Sequence, residues 1–284
     1  MPESKKGWDW EITSKTSYWG WSARELWAYR HLLASLIRRD FLLSYQQTIL
    51  GPVWILLQPL LTLVTYVLVF GKLVGISTGA LPPVLFYFSG IVLWSLFSDS
   101  FGGTANTFRD NAQVFSKVYF PRLIVPMAVT STQFFRFAIQ FAMLLLLIGF
   151  YWAFRDLPSP FSIITLAFPF VVICTAGIGL GLGLLFSVIT AKYRDMVGTV
   201  SLGIRLFMYL TPVIYPVASL PEKYRWLVQL NPLTPLFELS RLSLLGEGTV
   251  TAGQLLYSLA FMLVVLSGAM LVFNKQSDKL VDVV

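Results

Sequence analysis

Charge is scarce in this chain. Aspartate, glutamate, lysine and arginine make up 12% of its 284 residues, about half the share of a soluble domain. A water-facing surface cannot be built from so few charges, and with 56% hydrophobic residues the chain reads as an integral membrane protein. Histidine and cysteine are each down to one, His31 and Cys174. One histidine makes no metal cluster, and one cysteine makes no intrachain disulfide. The H-E-x-x-H, G-x-S-x-G and paired-carboxylate signatures are missing, so no catalytic residue and no metal ligand is assigned. G-x-x-x-x-G-K-[ST] is missing too, which excludes ATP binding through a P-loop on this chain. Proton-coupled transport prefers several carboxylates or histidines within the spans, and only Asp99 is available there. If this protein moves a substrate, the energy must come from a partner. No signal peptide is expected, because the first 50 residues are charged, Trp-rich and without an apolar core before a small-residue cleavage site.

What is abundant is apolar runs of helix length. Barrel strands are about half as long and alternate in polarity, and backbone amides in lipid need partners within the segment. The expected class is therefore all-α. Six spans are predicted at about 53–74, 84–101, 123–153, 161–189, 197–215 and 254–273. Pro59 lies inside the first and is expected to kink it. The third is longer than a bilayer needs. The fourth carries Gly177, Gly179, Gly181 and Gly183, two small-xxx-small pairs that allow close helix approach. Between the fifth and sixth spans, prolines break 216–252 into apolar pieces at 221–230 and 233–245. Each is too short to cross, which suits a pair of re-entrant or interfacial helices.

Lysine and arginine set the orientation. With the N-terminus inside, the inner segments hold fourteen and the outer segments five, the remaining two being Arg136 and Arg205 within spans. This predicts N-in and C-in. The chain divides into a cytoplasmic segment (1–52), a transmembrane domain (53–273) and a cytoplasmic tail (274–284). Residues 23–41 have helical periodicity, with Ala23, Leu26, Trp27, Leu33, Ala34, Ile37 and Phe41 on one face and Leu32 and Leu36 off it. They are expected to lie flat on the inner interface, where Arg24, Arg30, Arg38 and Arg39 either hold lipid phosphates or an entering lipid-linked substrate, or only fix orientation.

Two polar features stand out. The stretch 102–126 threads Val114, Phe115, Val118, Tyr119 and Phe120 between charges. Asn111 can cap a short helix that Pro121 ends. This is either an ordinary basic loop or a surface gripped by another protein. In the third span Gln133, Arg136 and Gln140 share one helical face. A lipid-facing arginine there would cost about 2.5–3.5 kcal/mol, so the stripe, like Arg205, must face protein or water. It is either a pore lining or bundle glue with Asp99 or backbone carbonyls as partners. Aromatics in or near the spans include Tyr66, Phe70, Phe134, Phe137, Phe207, Tyr209 and Tyr215, rings that suit either sugar stacking or lipid packing.

In combination, several motifs resemble the transmembrane subunit of ABC-2 type exporters, in the polysaccharide branch that includes O-antigen, capsule and teichoic acid transporters. They are RDF at Arg39–Phe41, LGPVW at Leu50–Trp54, FSKVYFPR at Phe115–Arg122 followed by Pro126, YRDM at Tyr193–Met196, TPVIYP at Thr211–Pro216, and NPLTP at Asn231–Pro235 leading to Arg241. The resemblance covers about residues 35–275. It implies two copies of this chain with two copies of a separate ABC ATPase, which would hold ATP and Mg; no cofactor is implied on this chain. It implies ATPase coupling through Arg109, Asn111, Gln113, Phe115, Lys117 and Tyr119, with Arg194 and Asp195 as a second contact. The substrate path would include Tyr66, Gln133, Arg136, Gln140, Arg205, Phe207 and Tyr209. Short helices with Tyr215, Pro216, Asn231, Pro232, Glu238 and Arg241 would gate the outer end. A polyprenyl-linked glycan would enter beside the N-terminal helix, in a bacterial inner membrane. Membrane lipid is a partner and nucleic acid is not. The alternatives are an ABC-2 exporter of drugs or lipids, and a membrane polyprenyl-phosphate glycosyltransferase.

Overall fold

The computed structural model describes residues 23–112, 120–155 and 163–281. The described residues form helices and connecting turns, without strands. Two helices come first, α1 (Ala23–Ala28) and α2 (Arg30–Leu43), over the stretch expected to lie on the interface. A 3-10 turn at Gly51–Val53 leads into α3 (Trp54–Tyr66), which passes through Pro59 and ends in a π-helical stretch, Val67–Leu73. Next come α4 (Pro83–Ala105), the single turn α5 (Thr107–Asp110) and the long α6 (Ile124–Phe154). A 3-10 turn at Ile163–Ala167 precedes α7 (Phe168–Lys192). Then follow α8 (Met196–Leu210), α9 (Glu222–Gln229), α10 (Thr234–Leu245) and α11 (Ala252–Val281).

Five of the expected spans have helices long and apolar enough to cross a bilayer: Gly51–Leu73, Pro83–Ala105, Ile124–Phe154, Ile163–Lys192 and Ala252–Gln276. The predicted fifth span is shorter than expected. Its helix stops at Leu210 after 15 residues, and Thr211–Pro216 turns instead of continuing. Pro212 cannot continue the hydrogen-bond ladder, and Thr211 is already extended. The second span is longer than expected, because Gly102 and Gly103 stay helical to Ala105.

The bundle is built around α4, buried along most of its length from Leu85 to Ala105. The four glycines of α7 are divided between two neighbours. A Cβ on Gly183 would lie 2.5 Å from Thr104 Cβ, and one on Gly179 would lie 3.0 Å from the Phe97 carbonyl, both on α4. A Cβ on Gly177 would lie 2.6 Å from Met262 Sδ, and one on Gly181 would lie 3.1 Å from Val265, both on α11. The missing side chains let three helices approach at backbone distance. The hydroxyl of Thr190 donates to the Ala105 carbonyl where the α4–α7 seam reaches the C-terminal ends of both helices.

Helix α2 also packs on protein. Trp27, placed on the apolar face by its spacing, is 71% exposed, as a ring turned to lipid would be, whereas Leu36, placed off that face, is 5% exposed. Leu36, with Leu26, Tyr29, Leu33 and Ile37, packs on Phe120, Ile124, Val125 and Ala128. The seam is set by the start of α6, a protein neighbour, and lipid alone does not define it.

Candidate functional site

Polar side chains on or just after α2, α5 and α6 converge at one end of the bundle. They line a cavity of about 700 Å³ that includes Arg39, Asp40, Ser44, Arg109, Asp110, Asn111, Gln133 and Arg136. Arg39 lies at the end of α2, and its Nε and Nη2 donate to Asp40 Oδ1 at 2.9 and 2.8 Å. The same Nη2 donates to Asn111 Oδ1 at 2.8 Å. Asn111 is buried and also donates to the Thr107 carbonyl, so it locks the turn that leads into the polar stretch. Burial pushes the Asp110 carboxyl above its usual range, against the pull of Arg109 beside it.

A second cavity, about 670 Å³, runs up the open face of α3, α4 and α8. Its lining alternates aromatic and polar groups: Trp54, Gln58, Tyr66, Trp94, Ser98, Asp99, Arg136, Gln140, Arg205 and Tyr209. Arg136 lines both cavities. Its Nη2 donates to Ser44 Oγ at 2.8 Å and its Nη1 to Gln133 Oε1 at 3.3 Å, while the guanidinium sits 5.6 Å from the Tyr45 ring centroid. Burial raises the pKa of Tyr45, opposed by that guanidinium. Gln140 donates to the Ile55 carbonyl at 3.2 Å and ties α6 to α3.

The substrate-path residues named from the sequence separate on inspection. Tyr66, Gln140, Arg205 and Tyr209 line the second cavity together, and Gln133 lines the first. Phe207 turns inward and packs on Trp94 and Phe97, centroids 6.2 and 5.9 Å away. Arg30 and Arg38 are exposed on the interfacial helix and Arg39 is half-buried, while the side chain of Arg24 lies outside the described residues. So do Gln113, Phe115, Lys117 and Tyr119, and with them the short helix that Asn111 was expected to cap. Arg194 and Asp195 are exposed at the turn between α7 and α8.

At the opposite end of the bundle the TPVIYP and NPLTP motifs meet. Asn231 donates to Thr211 Oγ1 at 2.9 Å and accepts the Leu233 N–H at 2.9 Å. Arg241 is buried, donates to the Pro212 and Val213 carbonyls at 2.6 and 3.2 Å, and faces Glu238 at 3.6 Å. Glu238 in turn accepts the Thr249 N–H at 3.1 Å. Pro232 accepts from Ser258, and Tyr215 donates to the Tyr209 carbonyl. Sequence spacing missed Ser44, Tyr45, Gln58 and Trp94. Gln58 alone gave a signal, as an amide inside an apolar run.

The family model for ABC-2 type transporters matches residues 31–245. An O-antigen export system permease protein RfbA of Myxococcus xanthus is 31% identical over 215 residues, covering 75% of this chain and 80% of the relative. A protein of the same name from Klebsiella pneumoniae is 26% identical over 254 residues, covering 89% of this chain and 94% of its own. The match spans α2 through α10, the elements that enclose both cavities and carry the TPVIYP and NPLTP motifs, and the chain belongs to the ABC-2 type transporter family as a multi-pass permease.

Proposed function

We propose that this chain is the channel-forming permease of an ATP-driven exporter, and that it carries a polyprenyl-linked polysaccharide across a bacterial inner membrane. What chiefly supports this reading is the second cavity. Its rings can cover the C–H faces of sugars, and its amides, hydroxyls and arginines can bond sugar hydroxyls. A drug or lipid conduit would be expected to be more apolar. The relatives named as O-antigen export permeases point the same way. The cavity is open along one side, and α3, the π-helical stretch after it and α8 leave Leu61, Val64, Leu68, Leu202, Leu206 and Leu210 uncovered. A second copy packed on these helices would close the channel. Two ABC ATPase subunits, binding ATP and Mg, would dock below on residues 109–120 and on Arg194 and Asp195. Short α9 and α10 would gate the outer end.

In the six-span arrangement α8 crosses together with the turn at Thr211–Pro216, leaving both termini inside. The test is reconstitution of the permease with its co-purified ATPase in vesicles loaded with a lipid-linked glycan. ATP-dependent translocation of the glycan is expected. Movement of a hydrophobic dye but never of the glycan would favour the drug or lipid alternative.

A further inference from the structure

We propose that Ser44 and Arg39 are positioning residues that hold Arg136 across the junction between the two cavities, and that displacement at Asn111 releases Arg136 toward Asp99. The proposal rests on the reading of residues 109–120 as the ATPase-docking stretch. Two polar ties leave one short piece of chain. Arg39 donates to Asn111 at 2.8 Å, at the threshold of that stretch. Five residues on, Ser44 accepts from Arg136 at 2.8 Å, within α6. Ser44 is also fixed to the end of α2, since its hydroxyl donates to the Asp40 carbonyl at 2.7 Å. A pull on Asn111 therefore reaches Arg136 through Arg39, the last turn of α2 and Ser44, without passing through the buried bundle.

Arg136 has somewhere else to go. Helices α4 and α6 run antiparallel, and a Cβ on Gly103 would lie 2.7 Å from Val129 and 3.8 Å from Gln133. One turn back along α4 is Asp99, and about one turn on along α6 is Arg136, so the two face the same level of the second cavity, which both line. Among the described residues, Asp99 accepts from its neighbour Ser98 at 3.4 Å and makes no ion pair with Arg136 within 4.0 Å. Meanwhile Arg136 Nε is buried without a hydrogen-bond partner. The guanidinium is held by one neutral hydroxyl, one amide and the Tyr45 ring, and with a carboxylate across the second cavity a second arrangement lies within its reach. In the Ser44 state the guanidinium stands between the vestibule and the groove. In the Asp99 state it lies along the α4 wall and the two cavities join.

The test uses the permease–ATPase complex in inside-out vesicles, with Thr62→Cys as a reporter in the groove and Cys174→Ala as background. A membrane-impermeant thiol reagent is added on the ATPase side. Without nucleotide, Ser44→Ala is expected to raise the labelling rate at position 62 about tenfold, the scale of one hydrogen bond to a charged group. Ser44→Thr should restore the slow rate. Asp99→Asn added to Ser44→Ala should return the rate toward that of the Thr62→Cys reporter alone. In a complex with intact Ser44, ATP should raise the rate, and Arg39→Gln should abolish that rise. Equal labelling in all variants overturns the proposal even where glycan export is normal. Absence of glycan export with the labelling pattern intact would instead count against the polysaccharide reading alone.

Discussion

The guanidinium carbon of Arg241 lies 3.8 Å from the centroid of the Phe86 ring. The arginine is thus sandwiched between an aromatic face on α4 and the carbonyls of Pro212 and Val213, with Glu238 beside it. Its Nη2 serves both carbonyls, while Nε and Nη1 are buried without a hydrogen-bond partner, so the charge is met by the ring and the Glu238 carboxylate. Here one side chain ties α10, the turn after α8, and the outer half of α4. Gly90 makes room for it, since a Cβ there would lie 2.9 Å from the Val213 carbonyl and 3.3 Å from Arg241 Nη2.

Replacing Arg241 should therefore unseat the outer end as a unit. Arg241→Leu leaves Glu238 charged and buried and two carbonyls without a donor, an expected loss of about 3–5 kcal/mol. Arg241→Lys should recover little, because an ammonium cannot stack flat on Phe86 while serving two carbonyls. Thermal unfolding of the purified protein in detergent reads this directly. A melting temperature unchanged by Arg241→Leu would contradict the pinning role.

The glycines of the bundle should split sharply by position. Gly183→Ala puts a methyl into the Thr104 side chain and the Phe101 backbone, an overpacking cost of about 1–3 kcal/mol. Gly149→Ala, on α6, meets nothing within 4 Å, so its helix propensity should leave stability equal or higher by up to about 1 kcal/mol. Parallel melts of the two variants check the contrast. Equal destabilisation by both would show that the α4–α7 seam is not limited by packing.

Much of this could be read from the sequence. The paired glycines, the apolar runs and the proline breaks were legible because each expresses a local rule about lipid or backbone. The two short outer helices followed from Pro221, Pro232 and Pro235 in the same way. What was not legible depends on neighbours. The buried face of α2 is chosen by α6, so Leu36 is buried although its spacing put it off the apolar face. Phe207 and Tyr209 are two residues apart in one helix, yet one packs into the core and the other lines the groove. Ser44 has no motif. Its importance comes from an arginine 92 positions away in the chain.

That last pair on α8 separates packing from transport. Phe207→Ala removes a ring held against Trp94 and Phe97 and should cost about 3 kcal/mol of stability or more. Tyr209 is 56% exposed and lines the open groove. Tyr209→Ala should leave the melt within about 0.5 kcal/mol of the native protein while slowing glycan export. The check is to measure export and melting on the same preparations. If Tyr209→Ala left export untouched, the groove would not stack sugars through this ring.

Residues 113–119 are bracketed by buried anchors, Asn111 at 8% and Phe120 at 5% exposure. Force applied between them is therefore passed to the bundle. Phe115→Ala with Lys117→Ala should leave the purified permease stable and the ATPase turning over, while export falls about tenfold or more, as loss of an aromatic anchor in an interface implies. ATP hydrolysis and glycan movement measured together give the ratio. Normal export per ATP would refute the docking role of this stretch.

The topology turns on α8. Fifteen residues at about 1.5 Å each reach about 22 Å, short of a hydrocarbon core of about 30 Å. The turn at Thr211–Pro216, buried from Thr211 to Ile214, supplies the remainder if irregular backbone at that depth is covered by protein. It is covered here: Asn231 and Arg241 bond to its carbonyls and to the Thr211 hydroxyl. Six crossings then place both ends of the chain on one side. In a Cys174→Ala background, Thr48→Cys and Gln276→Cys should react with an impermeant thiol reagent from the same face, and Lys223→Cys from the opposite one. If Gln276→Cys reacted on the Lys223→Cys side instead, α8 would not cross, and the groove it flanks would be open to only one half of the bilayer.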